Sequence, residues 1–219
     1  MRVLKFGGSS VASSESIKKV IDIVKESSNN NKTAVVVSAL GGVTDLLLEA
    51  GNLACKGDKK YLDTFETIEK KHLQIVRELI PINNQSGVLG QIKKMLNILE
   101  NTLEGVFLIN ELSNKTSDKI VSFGELFSSF IIANAMQNNG LDAVLKNSQE
   151  LIVTNENFSN ASVQFDKTNA NIIYGSLYNG NFKRTDNGGT TSTSVDLGDT
   201  KPGTLPPLVK HPTDVATIF

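Results

Sequence analysis

Met1-Arg2-Val3-Leu4-Lys5-Phe6-Gly7-Gly8-Ser9-Ser10 opens the chain, and its reading decides the fold. Val3 and Leu4 are the start of a short buried strand, Lys5 places one cation at its end, and Gly7-Gly8-Ser9-Ser10 turns toward a helical pattern. A strand, a glycine turn and a helix start suit an anion. Glycines let a backbone approach a ligand closely, the N–H groups and dipole of a helix start favour phosphate, and a lysine adds a compact point charge. The same residues also make an ordinary βα turn with an exposed lysine, and the motif alone does not separate the two.

Working outward, Ser13 and Ser14 are suited to cap a helix over about 16–27, whose Ile17, Val20, Ile21 and Val24 recur on one face. Lys18, Lys19, Asp22 and Lys25 fall elsewhere and read as its solvated side. After Asn29-Asn30-Asn31 comes Thr33-Ala34-Val35-Val36-Val37-Ser38, a β-branched run without alternation. Strands covered on both faces look like this, as in parallel sheets flanked by helices. The opening therefore reads as βαβ. The second strand ends in Ser38-Ala39-Leu40-Gly41-Gly42-Val43-Thr44-Asp45, another glycine turn. In open α/β sheets, ligands bind outside the carboxyl ends of the strands. Two such turns at two such ends carry more weight than either one. Thr44 and Asp45 have a plain alternative role as helix caps.

Helices follow over 46–55, stopped at Gly57, over 58–79, ending before Pro81, and over 87–103. They read as a helical insertion or flank on the α/β core. His72, among Glu69, Lys70 and Lys71, reads as a surface residue, and Met95 as packing. Residues 117–140 form a very apolar helix in which Glu125 stands beside Phe123, Leu126, Phe127 and Phe130, preceded by Gly124. A carboxylate there either points into solvent or needs a partner. Periodicity does not decide between them. Leu141-Asp142-Ala143-Val144-Leu145 after Gly140 reads as a third strand and Asn171-Ile172-Ile173-Tyr174 as a fourth. From about Tyr178 the chain turns to Gly, Thr, Ser and Pro without apolar period: a loose surface tail, or part of a longer protein.

Composition bounds the rest. The 219 residues allow one large or two small domains, and a net charge of −1 gives no basic field for nucleic acid or acidic membranes. Cys55 is the single cysteine, which excludes an internal disulfide framework and fits a reducing compartment. No signal-peptide pattern opens the chain, and no apolar stretch approaches the roughly 20 residues a membrane span requires. The expected location is the cytoplasm.

With Lys5-Phe6-Gly7-Gly8-Ser9-Ser10-Val11-Ala12, the Ser38 to Asp45 turn and Ser122-Phe123-Gly124-Glu125-Leu126 in place, the chain resembles the aspartate kinases over about residues 1–165. The opening and the long helical insertion are similar to the kinase part of bifunctional aspartokinase–homoserine dehydrogenases, and monofunctional forms fit as well. The resemblance implies the amino-acid kinase fold, an α/β three-layer sandwich with a mainly parallel central sheet, here truncated on its C-terminal side. It implies a catalytic domain over 1–177 with the insertion at about 58–110, and an irregular tail over 178–219 holding an incomplete nucleotide-binding part. It also implies roles. Lys5 would neutralise the terminal phosphates of ATP, with the Gly7, Gly8 and Ser10 backbone cradling them. Ser38, Thr44 and Glu125 would line the L-aspartate site, Glu125 facing the ammonium group. ATP is the implied co-substrate with Mg²⁺, no metal-ligand residues are assigned, and the full-length protein is expected to be a homo-oligomer. The glycine loop is not a Walker A motif, because the lysine precedes the glycines.

The chain also departs from the family. The family's Gly-Arg-Gly-Gly-Ser-Asp segment has its nearest counterpart in Asp186-Asn187-Gly188-Gly189-Thr190-Thr191, which lacks the arginine and the Ser-Asp; Arg184 lies just before it. The family's Thr-Asp-Val-Asp-Gly segment has only Thr213-Asp214-Val215-Ala216 to match it. A kinase for another small acid such as glutamate, and a non-catalytic fragment that binds a ligand or partner, stand as the alternatives.

Overall fold

The computed structural model describes residues 2–29 and 32–151, together with four short segments at 162–165, 173–176, 182–185 and 193–195. The chain divides into two units, Met1–Val153 and Thr154–Phe219.

The first unit begins as the sequence predicts. Strand β1 (Arg2–Phe6) leads through a single 3-10 turn (Gly8–Val11) into helix α1 (Ser14–Ser28), and strand β2 (Thr33–Val37) returns parallel to β1. Lys5 is paired with Val36 and Phe6 with Val37, so the two strands end side by side. Ser13 caps α1, its side chain accepting from the Ser16 N–H at 3.3 Å, and Ile17, Val20, Ile21 and Val24 form the buried stripe. Lys18, Lys19, Asp22 and Lys25 are exposed, as their positions on the helix require.

The strands differ from expectation in their burial. Leu4, Phe6, Val35 and Val37 pack against the core, while Val3 and Val36 remain 59% and 50% exposed. Side chains alternate between the faces of a strand. Among the described residues of this unit, helices cover only one face of the pair, so the β-branched run is half-covered.

Four long helices follow: α2 (Val43–Cys55), α3 (Tyr61–Leu79), α4 (Gln85–Ile109) and α5 (Asn114–Asn138). Helix α2 is the hub, packing on α3, α4 and α5. Its Leu47, with Ile68, Ile92, Leu99, Phe127 and Ile131 from the others, is fully buried. Each such side chain contributes roughly 1.5–3 kcal/mol when removed from water. Asn110 ends α4 in the left-handed region at φ 54°, a conformation asparagine tolerates. Against the expectation that no stretch approaches a membrane span, helix α5 is long and apolar enough to cross a membrane by length and composition, because its serines and asparagines interrupt the apolar run only singly or in pairs. Ile120, Phe127, Ile131 and Ala135 are nonetheless buried in this unit, so its apolar face serves the core.

Residues 141–147 do not form the expected third strand. They are irregular: Val144 is exposed, the Ala143 N–H donates back to the Leu141 carbonyl at 2.9 Å, and the Ala143 carbonyl accepts from Gln137 Nε2 at 2.7 Å. No strand among the described residues lies alongside to give the segment a ladder. One helical turn, α6 (Ser148–Leu151), follows.

The second unit, by itself, holds an antiparallel sheet in sequential order: β3 (Ser162–Phe165), β4 (Ile173–Ser176), β5 (Phe182–Thr185) and β6 (Thr193–Val195). Strand β4 answers to the expected fourth strand, while β5 and β6 fall in the stretch expected to be irregular. Arg184 pairs across with Tyr174 and Thr193. The Asp186 to Thr191 and Thr213 to Ala216 segments lie outside the described residues.

Candidate functional site

The three motifs meet at the carboxyl ends of β1 and β2. Their junctions require small residues. A Cβ on Gly41 would stand 2.7 Å from the Ala12 Cβ and 3.3 Å from the Gly8 carbonyl oxygen, and one on Gly8 would meet the Ala39 carbonyl at 3.4 Å. The first glycine turn is therefore seated on the second. A Cβ on Gly124 would lie 2.7 Å from the Ala39 Cβ and 3.3 Å from Leu47 Cδ1. The missing side chain at Gly124 lets α5 come down onto the second turn, which brings the next residue, Glu125, to it.

The backbone of that second turn is satisfied by side chains. Ser128 Oγ donates to the Ser38 carbonyl at 2.7 Å, and the Ala39 N–H donates to Glu125 Oε1 at 3.2 Å. Lys71 Nζ, from α3, donates to the Gly41 carbonyl. Gly42 then turns the chain through φ 77°, a left-handed conformation open to glycine, and α2 starts at Val43. Ala39 and Leu40 are buried, and an unpaired backbone group beside them would cost roughly 1–3 kcal/mol.

Glu125 is exposed, so solvent reaches the carboxylate, yet it is anchored. Both readings left open by the sequence are partly met. One oxygen accepts from Ala39 N–H, and a carboxylate has a second oxygen with further acceptor capacity. Such a group is preset to receive a cationic donor.

The other predicted residues fall as follows. Lys5 is exposed and, by strand alternation, lies on the face opposite to Leu4 and Phe6, joined to the second turn through the paired strand ends. Gly7 is exposed with φ −78°, and Gly8 is half-buried against the second turn. Ser10 departs from the role implied for it: its backbone N–H donates to the Gly7 carbonyl at 2.9 Å, closing the 3-10 turn. The N–H capacity offered by this loop comes from Gly7 to Ser9. Ser38 is half-buried, its N–H bonded to Phe6 O at 3.0 Å. Thr44 is half-buried inside the first turn of α2, with Gly42 at the N-cap, so neither Thr44 nor Asp45 is the cap.

Two residues to which the sequence gave no site role matter here. His72 is fully buried, against its expected surface position. Its ring lies 4.6 Å from that of Phe127, and Nδ1 is 2.6 Å from the Ile68 carbonyl. Burial is the main cause that lowers its pKa to about 4, opposed by the Ile68 bond and helped by Lys71. The ring is neutral at pH 7. Lys71, beside it, reaches the opposite way to Gly41. His72 was legible in part, since Ile68 and Val76 flank it at helical spacing; Lys71 was not, because its partner comes from another element. A cleft of about 290 Å³ also opens between the start of α1 and α3, lined by Ser13, Glu15, Lys71, Gln74 and Glu78 among others.

Comparison with known proteins places this arrangement. Residues 1–196 match the amino acid kinase family, and the chain belongs to it. Within that family the similarity is to aspartokinases. The chain is 33% identical over 165 residues to aspartokinase 1, chloroplastic, of Arabidopsis thaliana, covering 74% of this chain and 28% of that one. It is 29% identical over 158 residues to the bifunctional aspartokinase/homoserine dehydrogenase 1, chloroplastic, of Zea mays, covering 72% and 17% respectively. The crystal structure of E. coli aspartokinase III in complex with aspartate and ADP superposes with a TM-score of 0.56 at 25% identity, over 65% of this chain and 30% of that one. The parallel α/β unit thus belongs to the amino-acid kinase fold. The chain spans about a sixth to a third of the length of the relatives it matches.

Proposed function

We propose that this chain carries the phosphate-facing and amino-acid-facing elements of an aspartate kinase, which transfers the γ-phosphoryl group of ATP to the side-chain carboxylate of L-aspartate. The observation that carries this reading is the junction at Gly8, Gly41 and Gly124. There the lysine–glycine turn, the second glycine turn and the Glu125 helix are in contact at one end of a parallel sheet. The complex of aspartate and ADP in the E. coli relative agrees in ligand class.

In the proposed reaction a carboxylate oxygen of aspartate bonds to the γ-phosphorus while the bond from that phosphorus to the β–γ bridging oxygen breaks, releasing ADP. The nucleophile is ionised at neutral pH, so no general base is required. Catalysis is positioning plus electrostatic stabilisation. Lys5 offsets phosphate charge, the N–H groups of the first turn bind phosphate oxygens, and Glu125 fixes the substrate's ammonium. Thr44 and Ser38 border the same strand ends. Among the described residues no group of three His, Cys, Asp or Glu could hold a metal ion. Mg²⁺ needs no such cage, since it commonly binds through phosphates, water and one or two carboxylates. It would arrive with the nucleotide and screen its charge.

A coupled assay for ADP release tests the reading. The expected result is turnover that depends on L-aspartate, with Lys5→Ala reducing kcat at least 100-fold. Glu125→Ala is expected to weaken aspartate binding by more than ATP binding. Turnover with glutamate alone would reassign the substrate. Aspartate binding by calorimetry without any turnover would mark a non-catalytic chain, and equal loss of both ligands in Glu125→Ala would remove its assigned role.

A further inference from the structure

We infer that Lys71, on α3 of the helical insertion, is a positioning residue for phosphoryl transfer, through its bond to the Gly41 carbonyl. This rests on the kinase reading above. A lysine on an amphipathic helix ordinarily buries its stem and keeps its ammonium in water. Lys71 is half-buried instead, and its ammonium is directed at a backbone carbonyl. Of the three side chains that satisfy the second turn, Ser128 and Glu125 come from α5 and hold its beginning at Ser38 and Ala39. Lys71 alone among these comes from α3, and it holds the far end.

Gly41 is also the residue on which the first turn sits, against Ala12 and the Gly8 carbonyl. Shifting Gly41 therefore shifts the phosphate-facing turn relative to Glu125. The helix that carries Lys71 is itself fixed, because the adjacent His72 is buried against Phe127 of α5. Lys71 is thus a tether with a rigid base, and it sets the register between the two halves of the site. Misplacing reacting groups by about 1 Å costs on the order of 100-fold in rate. Losing the tether should affect alignment more than the binding of either ligand.

Lys71→Met and Lys71→Arg, made in the whole chain, test this. Lys71→Met is expected to lower kcat about 30-fold while KM for ATP and for aspartate each change less than about threefold. Its melting temperature should stay within about 2 °C, and amide hydrogen exchange should accelerate over 39–44 while α3 keeps its protection. Lys71→Arg, which keeps a donor, should recover kcat to within about threefold of the original. The inference is overturned if Lys71→Met leaves kcat and exchange at 39–44 unchanged. It is overturned equally if exchange rises throughout α3 with a parallel fall in melting temperature, as a general stabilising role requires. Absence of aspartate turnover in the unaltered chain would instead sink the substrate assignment, and the exchange data would still show whether Lys71 holds the turn.

Discussion

The two glycine turns lie at neighbouring ends of parallel strands, yet they are held by different means. The first closes on itself: Ser10 N–H bonds to Gly7 O, Val11 is its buried anchor, and Gly7 has nothing within 4 Å of where a Cβ would stand. The second has an internal bond too, Val43 N–H to Leu40 O at 2.9 Å, but it is held from outside as well, by Ser128, Glu125 and Lys71 acting on its backbone and by glycines wedged against its neighbours. One turn leaves its first glycine open to solvent; the other is the footing on which it stands. A site for a flexible, highly charged molecule needs both, since backbone donors are useful only where their spacing is fixed.

The sharpest way to break this comparison is to add one methyl group to each turn. Gly41→Ala places a Cβ 2.7 Å from that of Ala12, and overpacking of this kind costs about 1–3 kcal/mol. Chemical denaturation should register that loss, and turnover should fall with it. Gly7→Ala meets no neighbour and needs no unusual backbone. Its stability should be unchanged or higher by about 0.4–1 kcal/mol, with turnover reduced only through lost access to the loop. Equal destabilisation by the two would mean the turns are not built differently.

A second, smaller effect concerns the base of the tether. His72 has a folded pKa of about 4 against an ordinary 6.5. Between those values the unfolded chain binds more protons than the folded one, so stability falls as the pH drops through 6.5 toward 4. The share lost by pH 5 is about 2 kcal/mol. Unfolding free energies at pH 7 and pH 5 should show His72→Leu losing less over this interval than the original chain; an identical loss would mean His72 is not the group responsible.

The least effect is expected beside the first turn. Ser13→Ala removes the side-chain cap on α1, which is worth about 1 kcal/mol, and thermal unfolding should show a shift of that order. Turnover should hold if the first turn is as self-contained as its internal bond indicates.

How much of this could be read from the chain depends on whether the deciding contact is local. The βαβ opening, the stop at Gly57 and the helix over 117–140 rest on periodicity and on punctuating glycines, and the structure has them within a few residues. The capping role offered to Thr44 failed because Gly42, in its left-handed conformation, starts the helix earlier. The strand expected over 141–145 failed because an apolar run becomes a strand only where another lies alongside. His72 was hidden by charged neighbours along the sequence that point elsewhere around the helix. The Ser10 N–H illustrates the converse: a motif gives residue types, while the hydrogen bond that uses up a donor is seen only in three dimensions.

The notch at Gly124 has one more implication. Helix α5 approaches Ala39 so closely that a methyl at 124 and the methyl at 39 would claim the same volume. The two positions therefore make up a single spatial allowance, although they belong to a strand-end turn and a helix far apart along the chain. Whatever room is given up at one must be withdrawn from the other. Variation at this corner of the fold is accordingly a matter of pairs, and a change at 124 judged by itself says little about what the corner can tolerate.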